Sequence, residues 1–250
     1  MATATPTAIA LISGANQGIG LAVANILAKA HGYHVIVGSR KLAAGEKVAA
    51  ELRAAGHAAS SVQLDLTDNS SIKAAVKTIE LEFGHLDVLI NNAAVSLDAT
   101  WDRATGAGDP FDMFRATFMP NVVGTAALTE GLIPLLQKSI LPRIVFVSST
   151  MGSLELSRDK STPWYNLDCK AYDASKAAVN VLTLNYARLL EGSGVKVNSV
   201  CPGLVKTALT RYTEYGASPE VGATRIVEMA TLGADGPTGT FSSRDGPVPW

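Results

Sequence analysis

Ser13-Gly14-Ala15-Asn16-Gln17-Gly18-Ile19-Gly20 stands between an apolar run, Ala8 to Ile12, and a run of good helix formers, Leu21 to Ala28. The apolar run reads as a buried strand. Strand, glycine turn and helix start together make an anion site. Backbone N–H groups and the positive end of the helix dipole point at a pyrophosphate, and the glycines let backbone approach it closely. The spacing is Gly-x-x-x-Gly-x-Gly rather than the Gly-x-Gly-x-x-Gly of the usual dinucleotide fingerprint. Position makes the turn informative: it follows the first strand and opens the first helix.

Outward from that turn, apolar β-branched runs alternate with helical patterns. Strands are expected at Ala8–Ser13, His34–Ser39, Ala59–Asp65, Val88–Asn91, Arg143–Ser148, Lys196–Cys201 and Gly239–Ser242. Helices are expected at Ile19–Ala30, Ala43–Ala55, Asn69–Phe83, Phe111–Gln137, Tyr172–Leu190 and Pro219–Ala230. Such alternation with short connections implies an α/β, Rossmann-type, doubly wound parallel sheet of seven strands with helices on both faces. Without an internal repeat or linker, the chain reads as a single domain over residues 1–250. Ligands of such sheets bind beyond the carboxyl ends of the strands. Two segments read as irregular, Ser96–Pro110 and Thr150–Asp168, and both are expected at the mouth of a site. Trp101, Trp164 and Tyr165 are candidates for a pocket wall, against ordinary loop packing.

Tyr172 and Lys176 lie four residues apart in Tyr172-Asp173-Ala174-Ser175-Lys176, on one face of the expected helix. An ammonium beside a phenol favours the phenolate and is expected to lower the tyrosine pKa toward the working range. The spacing alone is common, and an exposed helix face would also produce it. The glycine turn and the serine pair Ser148-Ser149 at a strand end strengthen the chemical reading.

Taken in order, these markers resemble the single-domain short-chain dehydrogenase/reductases over essentially the whole chain. They are Gly14, Gly18 and Gly20, Asp65, Asn91-Asn92-Ala93-Ala94, Asn121, Ser148-Ser149, Tyr172, Lys176, and Pro202-Gly203 with Thr207. The resemblance implies a nicotinamide dinucleotide held by Gly14, Asn16, Gln17, Gly18, Ile19 and Gly20. It puts Asp65 and Leu66 at the adenine, Asn91 and Ala93 on the ribose side, and Pro202, Gly203, Val205 and Thr207 at the carboxamide. It makes Ser149 the serine that meets the substrate carbonyl and Tyr172 the proton donor. Lys176 binds ribose hydroxyls and lowers the tyrosine pKa, and Asn121 holds a water that resupplies protons. NAD-binding members usually end the second strand in an acid, where this chain has Ser39-Arg40. Arg40 can take a 2′-phosphate by a charge-assisted contact, so NADP(H) is the expected cofactor. Gln17 stands where many NADP-dependent relatives carry a basic residue, and Ala94 where glycine is commoner.

Ser149 and Tyr172 are 23 positions apart, roughly twice the common family spacing. Long gaps resemble the monomeric carbonyl reductases, as do Asn185-Tyr186-Ala187-Arg188 and the tail ending in Pro249-Trp250, so a monomer is favoured. The implied activity is NADPH-dependent reduction of a ketone or aldehyde. The rivals are an NAD-dependent alcohol dehydrogenase and a dinucleotide-binding regulator without turnover. An apolar or aromatic carbonyl substrate is expected from the aromatics and the apolar character of Leu204–Leu209.

Composition bounds the partners. The chain is 47% apolar and 17% charged with a net charge of −1, which offers no basic field to nucleic acid or anionic membrane. It holds no run of 18 apolar residues, and Met1–Thr7 lacks the pattern of a secretory signal. Two cysteines, Cys169 and Cys201, and four scattered histidines have no metal-ligand spacing, and a reduced, cytoplasmic setting is expected.

Overall fold

The computed structural model describes residues 7–102 and 104–250. All of Met1–Thr7 except Thr7 lies outside them, as does Arg103 in the first irregular segment. One eight-stranded sheet runs in the order β3-β2-β1-β4-β5-β6-β7-β8. Its strands are β1 Ile9–Ser13, β2 His34–Ser39, β3 Ala59–Gln63, β4 Val88–Asn91, β5 Arg143–Val147, β6 Lys196–Val200, β7 Thr240–Ser243 and β8 Gly246–Pro247. Neighbours from β3 to β7 pair in parallel. β8 turns back antiparallel on β7. This eighth strand departs from the expected seven. Two residues with a proline carry no periodic signal, and such a short proline-bearing strand suits a sheet edge.

Helices α1 Gly18–His31, α2 Leu42–Ala54, α3 Asn69–Phe83, α4 Pro110–Phe118, α5 Thr125–Leu136, α6 Lys170–Leu189 and α7 Pro219–Ala230 cover both faces. The central strands β1, β2, β4 and β5 are largely apolar on both sides, as a doubly covered sheet requires. From β1, Ala10 and Ile12 pack with α1, α2 and α7 through Val23, Leu27, Val48, Leu52 and Ile226. Ile9 and Leu11 point to the other face, with Ile79 of α3, Leu128 and Leu132 of α5 and Val179 of α6. Period-two alternation thus feeds two separate cores.

The expected helix Phe111–Gln137 is divided. Met119–Gly124 forms a wider π-type turn between α4 and α5. Pro120 lacks the N–H that a regular α-helical ladder needs, and the Pro120 carbonyl accepts instead from Thr125 Oγ1 at 2.9 Å. β3 stops at Gln63 rather than Asp65. Asp65 Oδ1 accepts from Thr67 N at 2.9 Å and Thr67 Oγ1 at 2.7 Å, which turns the chain out of the ladder.

Candidate active site

The carboxyl ends of β1, β4, β5 and β6 lie on one edge, where strand order reverses beside β1. Registers Ile12↔Ile90, Asn91↔Phe146 and Val147↔Val200 keep those ends level. A cleft of about 760 Å³ opens there. Gly14, Asn16, Gln17, Gly18 and Ile19 line it, with Val205 and Thr207 beside them, and so do Ser149, Tyr172, Lys176, Pro202 and Gly203. Opposing strand ends and a helix start form a crevice because the loops on either side of β1 leave in opposite directions.

The glycine turn is built as its sequence requires. Gly14 has φ +66°. A Cβ at Gly20 would lie 2.5 Å from the Gly14 carbonyl oxygen and 2.6 Å from Asn92 Nδ2, so the turn and α1 approach each other more closely than any side chain allows. Gln17 at the N-cap makes no side-chain cap, and the first turn of α1 has no acid. The free N–H groups of α1 therefore face the cleft with no internal anion to satisfy them. This cradle fits a dinucleotide pyrophosphate.

Asn92, rather than the expected Asn91, ties the floor together and lines the cleft. Its Nδ2 donates to Ser13 O at 2.9 Å, and Ser13 Oγ accepts from the backbone N of Asn92 and of Ala93, each at 3.0 Å. Ala93 lines the cleft. The Asn91 side chain turns the opposite way and donates to Thr129 Oγ1 of α5 at 3.0 Å. Its Oδ1 is buried without a hydrogen-bond partner among the described residues, and Asn91 does not line the cleft. Ser39, Arg40, Asp65 and Leu66 sit at the ends of β2 and β3, beyond the cleft walls. Ser39 is 1% exposed and donates to Lys41 O at 3.0 Å, whereas Arg40 and the following Lys41 are exposed. Leu66 belongs to the core under α5.

At the end of β5, the two serines divide as strand alternation predicts. Ser148 is buried and donates to Asn180 Oδ1 at 2.6 Å. Ser149 faces the cleft, accepts from Met151 N at 3.2 Å and hydrogen-bonds the Tyr172 phenol. Lys176 is 3% exposed and its Nζ donates to Val147 O at 2.7 Å. Gly152 lets this wall close: a Cβ there would meet the Lys176 carbonyl carbon at 2.6 Å.

Electrostatics correct one expectation. Burial pushes the Tyr172 phenol well above its ordinary value, Cys201 adds to this, and the Ser149 hydrogen bond opposes it. Lys176 is not among the causes. The ammonium lies 5.6 Å from the Tyr172 ring centroid and is engaged with a backbone carbonyl, and burial pushes it down to about 8. Tyr172 is half-buried and lines the cleft.

Asn121 lies in the π-type turn, 2% exposed. Its Oδ1 accepts from Val95 N at 2.9 Å, and Nδ2 donates to Val95 O at 2.8 Å and Ser175 Oγ at 3.0 Å. Both amide protons are committed, so the side chain braces the loop after β4 against α6 and offers no further donor to a water.

Of the three aromatic candidates, Trp164 alone lines the cleft, and its buried indole N–H has no partner among the described residues. Trp101 stacks under Lys170 at 4.6 Å, and Tyr165 is 41% exposed. Hence only the second irregular segment, through Met151, Pro163, Trp164 and Leu167, walls the site. Leu204, Ala208, Leu209 and Tyr212 face it. Two further residues escaped the sequence reading. Cys201 is buried at the end of β6, its sulfur accepting from Thr150 N at 3.2 Å. Asp98 reaches α6 from a loop seventy residues earlier, and no spacing rule connects them.

Asp173, next to Tyr172, is pushed up to about 7 by burial and then by Asp98 and Asp168, and its Oδ1 has no partner. The folded state therefore binds this proton more tightly than the unfolded chain, and stability falls as pH rises from about 4 to about 7. Asp173→Asn is expected to raise the melting temperature above pH 7, by about 3 °C for each kcal/mol regained, with the gain vanishing near pH 4. Melting curves of both proteins across that range check it; a constant difference would contradict the cause assigned.

Among the described residues, no cluster of His, Cys, Asp and Glu could hold a metal ion, and no helix is long and apolar enough to cross a membrane. The sequence profile of the short chain dehydrogenase family matches residues 8–216. A short-chain dehydrogenase/reductase of Stachybotrys chlorohalonatus, ATR10, is 39% identical over 253 residues, covering 95% of this chain and 88% of its own length. Carbonyl reductase [NADPH] 1 of Sus scrofa is 32% identical over 282 residues, with 98% and 94% covered. The structure of salutaridine reductase from Papaver somniferum superposes with a TM-score of 0.76 at 28% identity, over 94% of this chain and 99% of that one. With the glycine turn, the serine and the tyrosine–lysine pair gathered on one cleft, the chain belongs to the short-chain dehydrogenase/reductase family, oxidoreductases of the alcohol–carbonyl couple.

Proposed function

We propose that the protein is an NADPH-dependent carbonyl reductase that converts a ketone or aldehyde reversibly to its alcohol. The observation that carries this reading is the convergence of Ser149, Tyr172 and Lys176 on a cleft that an uncapped helix N-terminus also lines. The bound nicotinamide supplies the hydride. Ser149 and Tyr172, hydrogen-bonded to each other, present two hydroxyls to one carbonyl oxygen. Tyr172 stays protonated across the neutral range because burial raises its pKa, so it enters the reaction as an acid. Lys176 uses one of its three N–H donors on Val147 and keeps two for cofactor sugar hydroxyls. Burial pushes its pKa down to about 8, so it is mostly charged at neutral pH and able to donate to those hydroxyls.

NADPH is preferred because the end of β2 offers cations and no carboxylate. Arg40 and Lys41 are exposed, Lys41 makes no side-chain cap on α2, and the first turn of α2 is free of acid. Glu46, the first acid of that helix, is taken by Arg53 and by Ser61 Oγ at 2.6 Å. The relative in Sus scrofa is named for NADPH. Arg40→Ala is expected to weaken NADPH binding by about 10- to 100-fold, the worth of a charge-assisted contact, and to leave NADH unchanged. Fluorescence titration of both cofactors reads this directly, and equal binding of NADH by the parent protein would reject the preference.

The substrate reading rests on the walls. Met151, Pro163, Trp164, Leu167, Leu204 and Leu209 give an apolar enclosure beside Tyr172. An uncharged, bulky or aromatic carbonyl compound suits it, since those six walls offer no partner to a charged group. A panel of ketones and aldehydes assayed with NADPH tests this; turnover confined to small charged keto acids would overturn it.

A further inference from the structure

We propose that Asp98 is a positioning residue for Tyr172, fixing the first turn of the catalytic helix from outside that helix. The proposal rests on the reading of Tyr172 as the proton donor. Helix α6 begins without a cap of its own. Cys169 stands at the N-cap with φ −119° and ψ 37° and makes no side-chain cap. The orphan N–H groups of the first turn are instead met by Asp98, in the short turn Asp98–Thr100 of the loop after β4. Oδ1 accepts from Ala171 N at 2.7 Å, and Oδ2 accepts from Tyr172 N at 3.1 Å.

Three features make this more than an ordinary cap. First, the carboxylate is only 7% exposed, so its partners are fixed and water does not compete. Second, its two oxygens hold successive residues, and one of them is the tyrosine itself. Two bonds to adjacent N–H groups set both the height and the rotation of that turn, and thereby where the phenol arrives. Third, the same loop begins at Ala93 and Ala94 in the cleft floor and is gripped at Val95 by Asn121. Asp98 thus carries the position of the floor to the proton donor. Negative charge at the positive end of α6 favours the contact as well.

Displacing a reacting group by about 1 Å can cost about 100-fold in rate, so loss of Asp98 should appear in kcat rather than in binding. In the full-length chain, Asp98→Ala is expected to lower kcat by about 10- to 100-fold while KM for the carbonyl and the NADPH dissociation constant stay close to the parent values. Asp98→Asn, of the same shape and with one oxygen still accepting, is expected to recover most of that loss. Should the alanine variant fail to fold, Asp98→Ser, which keeps one acceptor on a shorter arm, gives the same kcat reading. An alanine variant that melts earlier yet turns over normally would reduce Asp98 to a plain helix cap and overturn the proposal, as would an asparagine variant as slow as the alanine one. Tyr172→Phe is assayed beside them. If it stays active, the acid assignment falls and this proposal with it; if it is inactive while Asp98→Ala is unimpaired, this proposal alone falls.

Discussion

Tyr172→Phe is expected to reduce turnover by about 10²- to 10⁴-fold, the range that a positioned general acid supplies. The substitution removes one oxygen and leaves the ring, so packing against the cleft wall survives. The protein should fold normally and bind NADPH as before, because the glycine turn at Gly14 and Gly18 is built by β1 and α1 and not by α6. Single-turnover measurements with saturating NADPH separate chemistry from binding. Near-normal turnover would mean that another group delivers the proton. No other phenol or imidazole of the described residues lines the cleft besides Tyr212, which is 62% exposed on a turn with left-handed Arg211 and Tyr212 at φ 52° and 56°. Tyr212→Phe is thus the control.

The second large effect concerns the fold. A Cβ at Gly124, in the π-type turn, would lie 1.9 Å from the Leu66 carbonyl oxygen and 2.7 Å from the Leu66 carbonyl carbon. Both obstacles are backbone, at a point where α5 crosses the chain leaving β3. Neither can rotate away as a side chain would. Gly124→Ala should destabilise by about 3 kcal/mol, the upper end for overpacking, or else push Leu66 and its neighbours outward. Denaturant unfolding gives the loss, and an unchanged midpoint would show that α5 can slide. Any displacement of Leu66 should also weaken the adenosine end of cofactor binding, since the expected adenine contacts follow β3.

The order of strands and helices was legible because its signal is local. Ala8–Ile12 is apolar at every position, and a strand of that kind must be covered on both faces, which is what the two cores do. The helix faces likewise follow from periodicity. The local signal failed at Met119–Gly124, where helix formers flank Pro120. A π-type turn differs from an α-helix in hydrogen-bond partner rather than in residue preference, so propensity does not see it. It failed again at β8, too short to have a period.

The site was legible in its chemistry and less so in its connections. Tyr172 and Lys176 share a helix face by spacing alone, and alternation lets only one of Ser148 and Ser149 face the cleft, the resemblance choosing Ser149. What local chemistry could not supply is the surrounding density. It raises the Tyr172 pKa where a neighbouring ammonium suggested lowering, because burial penalises the phenolate. The same holds for Trp101 and Trp164. Both read as wall candidates, yet only Trp164 lines the cleft.

The sequence by itself therefore determined the layered architecture and the place of the glycine turn, since each depends on residues within one strand, turn or helix, and its family resemblance singled out Ser149, Tyr172 and Lys176, which line one cleft. The tertiary structure alone decided which of Asn91 and Asn92 serves the floor, that Asn121 spends its amide on Val95 and Ser175, and that Asp98 caps the catalytic helix. Those pairings join residues tens of positions apart, and no periodicity records them. They are created when the sheet brings its strand ends level and buried polar groups must find partners across the loops that meet there.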